Sequence, residues 1–125
     1  MIDKLASHVS FLEREGFQTT VDGDGDVTFA HGGHQIVFFT DSEDDTHFRL
    51  SYIALWDPEG TPRALPIANR VNQLMKVAKV TLIDDALIIS VECFLSMPSD
   101  FKGIFDRALD CITTAIDEFR REFHA

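Results

Sequence analysis

A chain of 125 residues, 45% hydrophobic, with 21 acidic against 11 basic residues, has the size of a single domain (residues 1–125) and is too apolar for intrinsic disorder. The formal charge of −10 argues against general binding to nucleic acid or anionic membranes, since both need clustered Lys and Arg. No apolar run approaches the roughly 18 residues of a membrane helix, and Met1-Ile2-Asp3-Lys4-Leu5 lacks the basic-then-apolar pattern of a secretory signal, so a cytoplasmic protein is expected.

The first predicted element is an amphipathic helix over residues 2–15, with Ile2, Leu5, Val9 and Leu12 on its apolar face and Gly16 placed to end it. The period then changes to two. Phe17, Thr19 and Val21 alternate with polar residues, as do Val27, Phe29 and His31 beyond an Asp/Gly-rich break, which predicts a hairpin. Gly32-Gly33 predicts a second tight turn, and Ile36-Val37-Phe38-Phe39 offers apolar side chains to both faces of a sheet. After the polar turn Asp41 to Thr46, a long strand runs to Trp56. Asp57 to Pro62 can continue neither strand nor helix. Pro66 suits the first turn of a helix that buries Ile67, Val71, Leu74, Met75 and Ala78.

Val80 and Leu82 lead through Asp84-Asp85 into Leu87, Ile89, Val91, Cys93 and Leu95, a further hairpin. The last element is a helix whose stripe runs from Phe101 through Ile112 to Phe123, with Ser99 as its N-cap. The order is α-β-β-β-β-α-β-β-α, an α+β domain. Cys93 and Cys111 fall at apolar positions, where two buried free thiols are expected.

Few residues carry recognisable chemistry. Asp22-Gly-Asp24-Gly-Asp26 suggests the start of a calcium loop, but the sixth position is Val27 and the twelfth is Gly33, where glycine and a bidentate glutamate are required; a solvated turn is the expected reading. His31-Gly-Gly-His34, with His47 nearby, is the one transition-metal seed, and it lacks a further converging ligand. There is no Gly-x-Ser-x-Gly elbow and no phosphate-cradling glycine loop. Neither an enzyme nor a bound cofactor or metal is expected. The apolar residues on the second sheet face are more informative. If the helices cover Ile36, Phe38, Leu87 and Ile89, then Val37, Phe39, Ile53, Leu55, Ile88 and Phe94 need another cover, either a helix or a binding partner.

The stretch Ala68-Asn69-Arg70-Val71-Asn72-Gln73-Leu74-Met75-Lys76-Val77-Ala78-Lys79-Val80, then Asp84-Asp85-Ala86-Leu87, then Arg107-Ala108-Leu109-Asp110 before a helix ending Asp117-Glu118-Phe119, resembles the YbjN family. This family is related in fold to the type III secretion chaperones, the Tir chaperone among them. The match is firmest over residues 67–120; the N-terminal half agrees in element order. The resemblance implies a type III secretion chaperone-like fold with a curved antiparallel sheet, a tendency to dimerise and no enzymatic activity. It also implies two roles, chaperone for an extended protein segment or regulator of sensory transduction. Asn69 and Asn72 are expected to hydrogen-bond neighbouring loops and fix the fold. A non-enzymatic, protein-binding homodimer is therefore expected, with a small-molecule or metal-responsive sensor using the His31/His34 turn as the alternative.

Overall fold

The computed structural model describes residues 3–125; Ile2, assigned above to the first helix, lies outside the described residues. The element order is as expected. Helix α1 (Lys4–Arg14) is followed by β1 (Thr20–Val21), β2 (Val27–His31), β3 (His34–Phe38) and β4 (His47–Leu55). Helix α2 (Thr61–Leu74), β5 (Lys79–Ile83), β6 (Ala86–Phe94) and α3 (Phe101–Phe123) complete the chain. The six strands form one antiparallel sheet in the order β1-β2-β3-β4-β6-β5. The hairpin before Val27 is shorter than its alternation suggests, since only Thr20 and Val21 pair with β2.

Strand alternation divides the sheet cleanly. Val27, Phe29, Ile36, Phe38, Phe48, Leu50, Leu87, Ile89 and Val91 all point to one face, where they join α2 and α3 in a single core. The aromatic rings set the packing. Phe38 meets Phe101 at 5.4 Å and Phe105 at 5.5 Å, both from α3, and Phe48 of β4 at 5.6 Å. Trp56, just past β4, closes the far end of α3 against Phe119 and Phe123.

Helix α1 turns Leu5, Val9 and Leu12 toward the core as expected, and adds His8 and Phe11 to the covered face. Its buried residues are His8 and Leu12, and the His8 ring stacks on Phe38 at 3.7 Å and 10°. Spacings of three and four from Lys4 through His8 to Phe11 and Leu12 widen this face, but Lys4 and His8 are polar and escape a hydrophobicity count. Gly16 ends the helix at φ 92°, a conformation that costs glycine nothing.

Two other helix boundaries differ from expectation. Pro66 lies inside α2, which begins at Thr61; its missing N–H forfeits one internal bond, and the helix ends at Leu74, leaving Leu74 exposed and Ala78 buried beyond it. The stop before α3 is a short turn at Pro98–Asp100, where the Asp100 carboxylate accepts the Met97 N–H at 3.0 Å, and Ser99 caps nothing. Cys111 is half-buried, and Cys93 is exposed with its neighbours Glu92 and Phe94 at the end of β6. What burial Cys93 does have raises its thiol pKa.

His8 gives the fold a pH dependence. Burial, with the Lys4 charge adding to it, lowers its pKa from 6.5 to about 4, and its Nδ1 is buried without a partner. The unfolded chain therefore binds the proton first, so this contribution is complete above about pH 6.5 and is lost as pH falls toward 4. The loss should be on the order of 3 kcal/mol. Urea unfolding of His8→Phe, which keeps the stack, should show a shallower fall in stability over this window than the parent protein.

Candidate functional site

All three helices share one side of the sheet, and among the described residues no helix packs on the other. The register brings Val37, Phe39, Ile53, Leu55, Ile88 and Phe94 onto this bare face in rows across the strands. Leu55, Ala86 and Ile83 form one row and Ile53, Ile88 and Thr81 the next. Then come Val37, Ser51, Ser90 and Lys79, followed by Arg49 with Glu92 and by His47 with Phe94. Phe39 donates its N–H to the Arg49 carbonyl and so adjoins the Arg49 row.

The six expected residues do not form one patch. Leu55 is 91% exposed and Ile53 41%, and together with Ile83 they make an apolar end. Phe94, 77% exposed, stands at the opposite end, about 27 Å away at the rise of an antiparallel strand. Val37, Phe39 and Ile88 are half-buried. Between the ends lies a polar waist. The Ser51 and Ser90 hydroxyls meet at 2.7 Å, and the Arg49 guanidinium covers the Phe39 ring at 4.4 Å. A shallow groove of about 200 Å³ follows the edge of this face past Lys79, Thr81, Ile83 and Ile88.

The bare face runs into a larger cleft of about 1030 Å³, lined by Phe39, His47 and Arg49 from the sheet and by the start of α1, the β1–β2 turn and the β3–β4 loop. Lys4 organises that loop. Its ammonium donates to the carbonyls of Asp44 (2.8 Å), His47 (3.1 Å) and Asp41 (3.3 Å), and partial burial lowers its pKa despite the neighbouring carboxylates. The loop is further shaped by Asp44, which accepts the Thr46 N–H and hydroxyl, both at 3.0 Å; these bonds lower its carboxyl pKa. His47 sits between two carboxylates, with Nδ1 2.7 Å from Asp41 and Nε2 3.0 Å from Glu92. Hydrophobic periodicity carries no trace of Lys4 or His47 in these roles, since both act through polar groups.

The other sequence candidates take part in the turns that carry them. Asp22, Asp24 and Asp26 do converge, with carboxylate oxygens within 4.8 Å of one another. However, one Asp22 oxygen accepts the N–H groups of Asp24 and Asp26, and an Asp26 oxygen accepts that of Thr40, so the carboxylates build the turn. His31 and His34 are the closing pair of the Gly32-Gly33 hairpin; His31 faces Phe17 and His34 faces Tyr52, and no third metal-ligating group joins them among the described residues. Asn69 is exposed. Asn72 has a distinct role: its amide donates to the Val80 carbonyl at 3.0 Å and its oxygen accepts the Val80 N–H at 2.6 Å. It thereby occupies the outward backbone groups of β5, an edge strand of the sheet, as a neighbouring strand would.

These features define an α+β domain with one helix-covered and one bare sheet face. The chain belongs to the YbjN family, whose model, described as "Putative bacterial sensory transduction regulator", matches residues 9–125. The family is thus described as regulators and not as enzymes. Its fold is also that of the crystal structure of YbjN, "a putative transcription regulator" from E. coli, at a TM-score of 0.73 and 12% identity over 94% of this chain and 92% of that one. An uncharacterized protein from Methanothermobacter thermautotrophicus is similar at a TM-score of 0.69 and 12% identity, over 97% and 96% of the two chains. No curated protein matches the sequence. No helix is long and apolar enough to cross a membrane among the described residues.

Asn72→Ala should leave the Val80 N–H and carbonyl unpaired at a cost of about 1–3 kcal/mol. It should also expose the β5 edge, so urea unfolding should show the loss and sedimentation should show concentration-dependent association. Lys4→Met should speed amide exchange at Asp44 and His47 while leaving the central strand β4 beyond Phe48 protected.

Proposed function

We propose that this chain is a non-enzymatic regulatory domain that works by binding another protein across the bare face of its sheet. The observation that carries this reading is the set of large apolar side chains, Leu55, Ile53 and Ile83, left exposed in adjoining rows on a rigid antiparallel surface. Solvated sheet faces are ordinarily lined with polar residues, and this face keeps them to its middle and one end. The family description as regulators supports the reading, and the absence of a recognisable nucleophile or phosphate-binding loop in the sequence is in keeping with it. An extended segment of a partner suits the geometry best, because rows of side chains about 6.8 Å apart along the strands match the two-residue alternation of a strand-like ligand. The homodimer implied by the resemblance would use the same face and is the competing occupant. The compartment assigned is the reducing cytoplasm, where the unpaired Cys93 and Cys111 remain thiols.

Ile53→Glu combined with Leu55→Glu tests the proposal. Leu55 is 91% exposed and Ile53 41%, so the loss of stability should stay below about 2 kcal/mol and the domain should remain folded. Affinity capture from the native cells, followed by mass spectrometry, should lose the partner that the parent retains. Capture of the same partner at equal yield, with unchanged solution mass, would rule this face out.

A further inference from the structure

We infer that the segment held by the bare face is bipartite, with Lys or Arg at one end and aliphatic residues at the other, laid along the strands with its basic end in the acidic cleft. The inference rests on the protein-binding reading above and specifies the chemistry of the partner. The surface is polarised along its length. Its two end rows, Leu55-Ala86-Ile83 and Ile53-Ile88-Thr81, contain no charged residue. At the opposite end, beyond the polar waist, Phe39, His47 and Arg49 pass directly into the cleft, so bare face and cleft are one continuous surface.

The negative charge of that cleft is only partly balanced from within, since Lys4 and Arg49 are set against Asp3, Asp24, Asp26, Asp41, Glu43 and Asp45, with Lys4 acting on Asp41 and Asp45. Lys4 is held by three backbone carbonyls, and Arg49 is stacked on Phe39. Asp41 is engaged by His47, and Asp26 by the Thr40 N–H. Asp24, from the β1–β2 turn, and Glu43 and Asp45, from the β3–β4 loop, line the same cleft with no hydrogen-bond or ion-pair partner for their carboxylates among the described residues. Their mutual repulsion, on a chain of net charge −10, is relieved by cationic side chains entering the cleft.

The same polarity argues against a second copy as the occupant of the whole face. Two copies fully overlapped face to face with strands antiparallel would set each acidic cleft against the other's Leu55 end, desolvating carboxylates on hydrocarbon. With strands parallel, cleft would oppose cleft and like charges would repel. A basic–apolar segment satisfies both ends at once. Spanning about 27 Å and entering the cleft takes roughly 12 residues in extended conformation.

Selection of displayed random peptides of about 12 residues against the intact protein tests this, followed by anisotropy titration of the synthetic winners. Winners should carry Lys or Arg clustered at one end and Val, Ile, Leu or Phe at the other. Combining Asp24→Lys, Glu43→Lys and Asp45→Lys should weaken their binding at least about tenfold, and the isosteric Asp24→Asn, Glu43→Gln, Asp45→Asn set should weaken it in the same direction. The second set decides the matter if the first fails to fold. Apolar winners without basic residues, or undiminished binding by the neutralised cleft, would overturn the bipartite segment and leave the face itself as the binding site. No enriched peptide, or winners indifferent to Ile53→Glu and Leu55→Glu, would overturn both.

Discussion

The ring of Phe38 is the contact on which the architecture depends. It lies in the middle of the sheet's covered face, stacked by His8 from α1, met by Phe101 and Phe105 from α3, and flanked by Phe48 of the next strand. One side chain thus joins the first helix, the last helix and two central strands, elements far apart in the chain. Because α1 and α3 converge on the same ring from the same side, neither is left to cover the opposite face. The core and the bare surface are two consequences of one packing decision.

Much of this arrangement is legible in the sequence, for a definite reason. Strands reveal themselves by period two and helices by period 3.6, so the nine elements and their order follow from the apolar pattern. The stripe from Phe101 to Phe119 reads directly as the covered side of α3. The run Ile36-Val37-Phe38-Phe39 likewise shows two apolar faces. Periodicity says nothing, however, about which face receives the helices and which stays bare. That depends on crossings between elements distant in sequence, here His8 and Phe101 over Phe38.

The polar residues that shape the surface are harder to read. His8 is buried in an aromatic cluster, Lys4 is spent on carbonyls across 37 or more residues, and Asn72 imitates a strand eight residues away. Each acts through hydrogen-bond geometry or ring stacking, which leaves no repeating signature. Asn72 stands out only because the family resemblance draws attention to it. The Asp22–Asp26 turn reads in sequence as a solvated turn; its carboxylates converge in the structure, and oxygens of Asp22 and Asp26 are partly consumed by nearby backbone N–H groups. Half of the six apolar residues assigned to the bare face stand well exposed; the others, Val37, Phe39 and Ile88, are partly covered by their neighbours.

An ammonium gripped by three peptide carbonyls is the tethered equivalent of a coordinated metal. Lys4 supplies to the β3–β4 loop what a bound cation supplies to many loops rich in carboxylates, a positive centre around which the backbone can fold. Unlike an ion, it cannot diffuse away, be chelated or be exchanged for a competitor. One wall of the cleft is thereby built without drawing on the ionic composition of its surroundings, and its shape is inherited with the polypeptide.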